Sequence, residues 1–255
     1  MSYLVSIITP TYNCAKFIAQ TIESVLAQSY TDWEMIISDD CSTDNTQEVI
    51  RPYLEADSRI KYICNEKNSG AAVTRNNALK VAQGRWIAFL DSDDLWQPEK
   101  LERQIAFMES NGYAFSYHDY VEISEEGEEL GVYVSGKQRV GKFDMFACCW
   151  PGCLAVMYDA SQIGLIQIND VKKNNDTAMW LKIICKSDCY LLKENLARYR
   201  RRRGSITPPS IKDRILWHYR LFRDAENMNC IKSAFWMCVN IVGNLYKKIF
   251  FVKKY

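Results

Sequence analysis

The sequence of 255 residues lacks the glycine-rich loops that bind phosphate in many nucleotide-dependent proteins. Its eleven glycines never form a Gly-x-Gly pair, so the dinucleotide fingerprint GxGxxG is absent, as is the P-loop motif GxxxxGK followed by Ser or Thr. These absences argue against dinucleotide oxidoreductases and P-loop NTPases. Glycine and proline together number only 17, which also argues against a collagen-like or low-complexity chain.

Sequence patterns typical of metal-binding proteins and of exported proteins are also missing. None of the ten cysteines forms a Cys-x-x-Cys pair, and His118 and His218 are the only histidines, which argues against a structural zinc site. Disulfide frameworks are typical of much shorter secreted chains. The first six residues show no basic region followed by a long apolar one, which predicts no signal peptide. We therefore expect buried, reduced thiols in a cytosolic protein.

Charge is present but unevenly distributed. The formal net charge is +1, yet residues 198–255 contain eight arginines and six lysines against three acids, a net of +11, which leaves −10 for residues 1–197. A hydrophobic content of 48% argues against disorder. The sequence therefore predicts a folded acidic body followed by a strongly basic segment.

The first hundred residues alternate between two periodicities. Short β-branched or apolar runs alternate with patterns that place apolar residues on one helical face. The predicted strands are 5–9, 34–38, 61–64 and 86–90, and the helical patterns lie within 16–29, 46–54, 71–82 and 98–108. Strands that alternate with helices predict a parallel sheet covered on both faces.

The second half is less regular. Residues 113–121 and 153–158 are typical of strands, residues 122–142 of a polar loop or hairpin, and residues 177–186 of a helix. After a break that contains Pro208 and Pro209, residues 211–252 are helical, basic and aromatic.

Carboxylates gather where the predicted strands end. Asp39 and Asp40 follow the second strand, and Asp91 and Asp93 follow the fourth. Ligands of open α/β sheets bind beyond the carboxyl ends of the strands. Without a glycine cradle, a diphosphate requires a divalent cation between its oxygens and these acids. The alternatives are an exposed acidic turn that caps the next helix, and an Asp40 that serves as a helix cap.

Four segments together resemble the motif series of the family-2 glycosyltransferases. They are Val5-Ser-Ile-Ile-Thr-Pro-Thr-Tyr-Asn13, Asp39-Asp-Cys-Ser-Thr-Asp-Asn-Thr46, Asn68-Ser-Gly-Ala-Ala-Val-Thr-Arg-Asn76 and Trp86-Ile-Ala-Phe-Leu-Asp-Ser-Asp-Asp94. The resemblance implies an α/β fold of GT-A type, a mostly parallel Rossmann-like sheet flanked by helices. It implies an enzyme that uses a nucleotide-diphosphate sugar, usually a UDP-sugar, and inverts the anomeric centre.

The resemblance also divides the chain. Residues 1–110 would form the nucleotide-sugar-binding half and residues 111–207 the acceptor-binding half of one catalytic domain. Residues 208–255 would form a helical basic C-terminal extension.

Site residues follow from the resemblance position by position. Those expected around the nucleotide sugar in the first half are Thr9, Pro10, Tyr12, Asp40, Arg75, Asp91 and Ser92. Among them, Asp40 would bind the uracil ring and Arg75 the base or diphosphate. Asp93 would bind Mg²⁺ or Mn²⁺, with Asp94 behind it or capping a helix. Cys41 departs from the family pattern, which has glycine there, so the local backbone is expected to differ.

An inverting transfer needs a base that takes the proton of the acceptor hydroxyl. The resemblance points to Asp176, which precedes Trp180-Leu181 at the family's spacing, whereas Asn175 replaces a first acid. The alternative is that Asp176 only caps the helix that begins at Thr177.

The run Tyr199-Arg-Arg-Arg-Arg-Gly-Ser-Ile-Thr207 resembles a basic segment that closes over the diphosphate. Arg202, Arg203 and Ser205 are the candidates. The alternative is a solvated patch that faces anionic lipid.

The fourteen uncharged residues 233–246 are too few for a membrane span, which needs about 20. Their aromatic and lysine flanks favour a helix in the headgroup region, and the alternative is a core helix on the catalytic domain. A membrane-seeking tail suits a polyprenyl-diphosphate-linked saccharide acceptor, as in O-antigen, capsule or exopolysaccharide assembly at the cytoplasmic face of the inner membrane. No nucleic-acid recognition motif accompanies the basic residues.

Other functions remain open at this point. A nucleotidyltransferase would share the sheet but need a glycine-rich N-terminal loop, which is absent. A non-catalytic nucleotide-sugar-binding module would not need Asp176, and a glycosyltransferase could also act on a soluble or protein acceptor.

Overall fold

The computed structural model describes residues 3–168, 171, 173–202 and 210–255. Within them, one mixed sheet of eleven strands is flanked by helices. The strands are β1 (Val5–Thr11), β2 (Trp33–Asp39), β3 (Ile60–Cys64), β4 (Trp86–Phe89), β5 (Leu95–Trp96), β6 (Phe115–Ile123), β7 (Glu129–Val134), β8 (Arg139–Val140), β9 (Met157–Asp159), β10 (Cys189–Arg200) and β11 (Val252–Lys254). The helices are α1 (Ile18–Leu26), α2 (Thr46–Ala56), α3 (Ala71–Val81), α4 (Lys100–Asn111), α5 (Lys142–Ala147), α6 (Ala160–Ile163), α7 (Asn175–Ile184), α8 (Ile211–Arg220) and α9 (Cys230–Phe250).

The first four strands pair in parallel, as the alternating pattern predicts. β1 lies between β4 and β2, and β3 pairs with β2 at the edge. Every residue of β2 is buried, and all but Pro10 of β1 are. Strands covered on both faces bury continuous apolar runs. The chain thus delivers the carboxyl ends of these strands to one edge of the sheet.

The second half of the chain completes the sheet with mostly antiparallel pairs. β9 is antiparallel to both β4 and β6, β6 and β7 form a hairpin, and β10 alone runs parallel to β6. The predicted strand 153–158 is wrong in its first half, since Cys153–Ala155 form a 3₁₀ turn before β9. Short apolar runs fit a buried helical turn as well as a strand, so periodicity alone does not separate them.

Two hydrophobic layers hold the helices on the sheet. One, around Trp33 and Leu101, packs α1 and α4 on one face. The other, around Phe89 and Trp180, packs α3 and α7 on the opposite face, where the two rings meet edge to face with centroids 5.1 Å apart. This second layer fixes α7 against the strands whose ends carry the candidate site.

The thiols are free, as predicted, but they are not all buried. Cys14, Cys148 and Cys189 are buried, whereas four other cysteines are exposed: Cys64, Cys185, Cys230 and Cys238. The prediction of buried thiols is therefore wrong for these four, because three of them lie on helical or helix-end surfaces and one ends an edge strand.

The C-terminal segment is not one continuous helix. α8 passes through a π-helical turn, Leu221–Ala225, before α9 begins. β11 then pairs with β7 and extends the sheet, so the end of the chain returns to the acidic body. Among the helices of the described residues, none is both long and apolar enough to cross a membrane.

Candidate active site

The carboxyl ends of β1 to β4 hold the first set of predicted residues. Thr9 is buried, Pro10 is half-buried, and Tyr12, just beyond β1, is 45% exposed. The buried hydroxyls of Thr9, Thr11 and Ser38 have no hydrogen-bond partner among the described residues. Such atoms are rare in folded proteins. This edge therefore has unused hydrogen-bonding capacity close to the predicted nucleoside site.

Asp40 fastens the end of β2 to the loop that leads into α3. Its Oδ1 accepts from the side-chain amide of Asn65 at 2.8 Å and from the backbone N–H of Ser69 at 2.7 Å, and its Oδ2 accepts from the N–H of Gly70 at 2.8 Å. The alternative role as a helix cap is wrong, because the N-cap of α2 is Asn45. A carboxylate offers about four acceptor positions, so Asp40 has room for one more donor.

Asn13 joins the loop after β1 to the loop after β2, a role that the motif did not reveal. Its N–H donates to Ser42 Oγ at 2.9 Å, and its Oδ1 accepts from the N–H of Thr43 at 2.8 Å. In the second loop, Cys41 has a φ of 64°. The expectation that a side chain at this position excludes the conformations open to glycine is wrong, because Cys41 itself adopts the left-handed conformation that glycine favours, at a cost of about 1–2 kcal/mol.

The acidic turn after β4 is held by arginines from β10 and beyond. The Asp93 carboxylate lies 2.7 Å from Arg202 Nε, and Asp94 accepts from the N–H of Arg200 at 2.8 Å. Burial raises the pKa of Asp93 and the charge of Asp91 adds to the rise, although Arg202 opposes it. Burial, together with the charges of Asp93 and Asp91, holds the pKa of Asp94 well above its usual range, although Arg200 opposes the rise. None of these acids is the N-cap of α4, so the capping alternative is wrong.

Arg75 connects this acidic turn to α7. It is 6% exposed on α3, donates through Nη2 to Asp91 and through Nη1 to Asn175. Burial alone would lower the pKa of Arg75, but the charge of Asp91 raises it above the usual value. Arg75 thus links Asp91, just beyond the end of β4, to Asn175, the residue that stands where the resemblance leads one to expect a first acid.

Asp176 lies in the first turn of α7, next to that contact. Its Oδ1 accepts from the N–H of Thr177 at 2.7 Å, and no donor among the described residues reaches Oδ2. The N-cap of α7 is Asn174, with a φ of 55°, so Asp176 is not the cap. A carboxylate in the first turn of a helix is stabilised by the helix dipole, and this one has an oxygen available to accept a proton.

Sequence reasoning missed Arg200, which organises the acidic turn from the end of β10. Only 2% exposed, it donates to the Asp93 carbonyl, the Glu125 carbonyl and Gln20 Oε1 at 2.7–2.8 Å. Its sole sequence signal is its place at the head of the arginine run.

The next two arginines of the run pair with different acids. Arg201 makes two hydrogen bonds to Glu122, whereas Arg202 pairs with Asp93 in the acidic turn. The candidates Arg203 and Ser205 lie outside the described residues.

Ser92, at the centre of the acidic turn after β4, is 6% exposed, and its carbonyl accepts from the Cys14 thiol.

The donor set of the acidic turn fits a hard divalent cation shared with a substrate. In the part of the chain that is described, no group of three or more His, Cys, Asp or Glu side chains could form a closed cage. Mg²⁺ commonly binds one or two carboxylates together with substrate phosphates and waters. Asp91 and Asp93, whose side chains are 30% and 17% exposed, meet that requirement.

Known proteins that are similar to this chain are glycosyltransferases. Residues 6–151 match the family model described as "Glycosyl transferase family 2". The chain is 41% identical to TuaG of Bacillus subtilis, a glycosyltransferase named for teichuronic acid biosynthesis, over 96% of this chain and 97% of the relative. It is 39% identical to WfgD of Escherichia coli, a UDP-Glc:alpha-D-GlcNAc-diphosphoundecaprenol beta-1,3-glucosyltransferase, over 83% and 82% of the two chains.

A solved structure confirms the fold. S. aureus TarS 1-349 in complex with UDP-GlcNAc superposes with a TM-score of 0.69 at 21% identity, covering 91% of this chain and 70% of that one. The α/β fold of GT-A type predicted from the motif series is therefore confirmed.

Proposed function

The chain belongs to glycosyltransferase family 2, and from this premise we propose that it moves a hexose or N-acetylhexosamine from a UDP-sugar to a hydroxyl of a lipid-linked saccharide, with inversion at the anomeric carbon. One observation carries the proposal. Arg75 binds both Asp91 and Asn175, so the acidic turn and the Asp176 helix line the same crevice. A donor diphosphate and an acceptor base need that proximity.

The donor would bind along the strand ends. Support comes from the unpartnered hydroxyls of Thr9 and Ser38, and from Asp40, which retains an acceptor position for the N–H of a uracil ring. The printed name of WfgD, which specifies UDP-Glc, favours a UDP-sugar over other nucleotide sugars. In this proposal Pro10 and Tyr12 border the nucleoside, and Asp91 and Ser92 the sugar-diphosphate side.

Asp93, with Asp91, would hold Mg²⁺ or Mn²⁺. When bound, the cation would supply positive charge to the departing diphosphate. Arg202, already 2.7 Å from Asp93, would add a second positive charge at the same place. Arg203 and Ser205 are proposed to continue this surface.

Asp176 would accept the proton of the acceptor hydroxyl as its oxygen attacks the anomeric carbon from the face opposite the diphosphate. The C1–O bond to the diphosphate breaks as the new glycosidic bond forms, and the proton remains on the carboxylate until solvent removes it. Asp176 Oδ2, which no donor among the described residues reaches, is available to accept this proton.

The acceptor would be a saccharide on a polyprenyl diphosphate, at the cytoplasmic face of the inner membrane. The names of TuaG and WfgD support this class, since one names a cell-wall polymer and the other a diphosphoundecaprenol acceptor. The reaction would then serve O-antigen, capsule or exopolysaccharide assembly.

The test is a transfer assay with a panel of radiolabelled UDP-sugars. The acceptors are GlcNAc-diphosphate on a polyprenyl analogue and free GlcNAc, each with and without EDTA followed by Mn²⁺ or Mg²⁺. We expect one UDP-sugar to be transferred to the lipid-linked acceptor, only with metal, and to give the inverted anomer by NMR. UDP binding without hydrolysis or transfer would instead indicate a binding module, and equal transfer to free GlcNAc would refute the lipid-linked acceptor.

A further inference from the structure

The helix α9 packs on the body through several polar side chains and one tryptophan. Ser233 and Asn240 are its buried residues. Asn240 donates to the Phe146 carbonyl at 3.0 Å, and Lys247 Nζ donates to the carbonyls of Cys149 and Trp150 at 3.1 and 2.6 Å. The ring of Trp236 packs against that of Phe146. A surface helix of a globular protein normally buries most of its apolar side chains, whereas α9 leaves most of its own exposed.

The apolar side chains of α9 consequently point away from the body. We call six of them, each at least 57% exposed, the outer face of α9: Ile231, Phe235, Val242, Leu245, Ile249 and Phe250. The first five recur at intervals of three, four or seven residues and so share one side of the helix, and Phe250 directly follows Ile249. Soluble proteins rarely expose an apolar surface of this extent unless something binds it.

Charge around the outer face identifies its occupant. α9 contains no Asp or Glu. Lys232 and Lys248 are exposed near its two ends, and Lys253 and Lys254 are exposed on the strand that follows. An apolar stripe on a helix without acids, with lysines near both of its ends, matches an anionic bilayer, whose headgroups attract lysines while the acyl boundary takes up apolar side chains.

We propose that the outer face of α9 binds an anionic membrane, with the helix lying in the headgroup region parallel to the bilayer plane. Membrane binding itself does not depend on the proposed function. Only its role does, which is to bring the enzyme to a lipid-anchored acceptor. α9 has 21 residues but is not apolar enough to be a membrane span.

The position of α9 relative to the site supports this occupant. Lys247 contacts Cys149 and Trp150, while Cys153, in the same segment, lies 3.6 Å from Arg75 and 3.9 Å from Asp91. Residues 149–153 thus contact α9 at one end and the crevice at the other. Burial raises the pKa of the Cys149 thiol, and the nearby charge of Asp176 adds to the rise. A bilayer on the outer face of α9 would therefore be separated from residues 149–153 by the width of one helix, about 10 Å.

The test is co-sedimentation of the full chain with vesicles of phosphatidylcholine, with and without phosphatidylglycerol. The double variant Val242→Glu, Leu245→Glu removes two apolar contacts and adds repulsion. Because each buried side chain of this size contributes at least about tenfold in affinity, we expect a loss of about 100-fold or more. The matched control is Val81→Glu, which changes an exposed valine on α3 and should bind as the unaltered chain does.

Several outcomes would overturn the proposal. They are no binding by the unaltered chain, equal binding by the double variant, or equal loss in Val81→Glu. A concentration-dependent dimer by light scattering that Leu245→Glu makes monomeric would assign the outer face to a second copy instead. Circular dichroism verifies that each variant is folded. Transfer to a detergent-solubilised acceptor separates the two proposals: its absence in a chain that binds vesicles would refute the proposed function alone.

Discussion

The proposed donor and acceptor sides are built in different ways. On the donor side, four parallel strands bring Asp40 and Asp91 to one edge of the sheet. On the acceptor side, Asp176 comes from α7, much later in the chain, and the first turn of that helix is joined to the first half by the hydrogen bond between Arg75 and Asn175. The first side depends mainly on sheet topology and the second on contacts between distant parts of the chain.

This difference predicts how each side responds to substitution. A side chain placed by sheet topology can be changed without moving its neighbours, whereas the contact between Arg75 and Asn175 joins the first turn of α7 to the acidic turn. Substitutions on the donor side should therefore alter local binding, and those at the joining contacts should alter the alignment of donor and acceptor.

The largest effect is expected for Asp176→Asn. Asparagine keeps the size of the side chain but accepts no proton at neutral pH, so kcat should fall by about 10²–10⁴-fold. UDP-sugar binding, measured by calorimetry, should be unchanged because the donor strands are untouched. Asp188→Asn, in the turn after α7, is the matched control and should retain full activity. Equal loss of binding and transfer in a folded Asp176→Asn protein would refute the base assignment.

A second effect, about tenfold in kcat, is expected for Arg75→Lys. Lysine keeps the charge but cannot reach Asp91 and Asn175 together, because it lacks the planar fork of arginine. We expect a lower kcat with little change in KM for the UDP-sugar, since alignment with α7 is lost while the donor strands remain. A reduced donor affinity with unchanged kcat would instead support the direct contact with base or diphosphate that the family pattern suggests.

The same distinction explains what the sequence could reveal. Asp40, Asp91 and Asp93 were predictable because strand order determines which strand ends meet. Arg200 was not, because it resembles its neighbours in the run and only the folded contacts show that it is buried among the Asp93 carbonyl and Gln20. The roles of Arg203 and Ser205 remain predictions.

The orientation of α9 shows a second limit of sequence reasoning. Its apolar periodicity is compatible with a core helix and with a membrane-facing helix, since both require one apolar side. The sequence does not say which side meets the body. That depends on the carbonyls around Cys149 and Phe146, which bind Lys247 and Asn240 and so turn the apolar side outward.

Residues 1–110 and 111–207 should also respond differently to acid, since the second range contains the buried His118, in β6, and the first contains no histidine. Burial, aided by the charge of Lys100, lowers the pKa of His118 to about 3. The unfolded chain therefore takes up this proton first, and the stability from His118 is lost as pH falls from about 6.5 towards 3, by at most about 1.4 kcal/mol per pH unit.

Urea unfolding between pH 7 and 5 checks this prediction in the unaltered chain and in His118→Gln. Carboxylates such as Asp93, whose pKa is raised, respond in the opposite direction, so the informative quantity is the difference between the two proteins. We expect the variant to lose less stability by about 1–2 kcal/mol over this range. Parallel curves would show that His118 is not the acid-sensitive group.

The smallest effect is expected within the donor side, where Cys41 departs from the family's glycine. Its φ of 64° is strained for any side chain but not for glycine, so Cys41→Gly should stabilise the fold by about 1 kcal/mol or less, once the greater freedom of glycine in the unfolded chain is counted. Cys64→Gly is the matched control, since Cys64 ends the regular strand β3. There glycine relieves no strain and should destabilise by about 0.5–1 kcal/mol. Denaturant midpoints that shift in the same direction would show that Cys41 carries no strain, and that the loop after β2 tolerates a side chain as readily as the strands do.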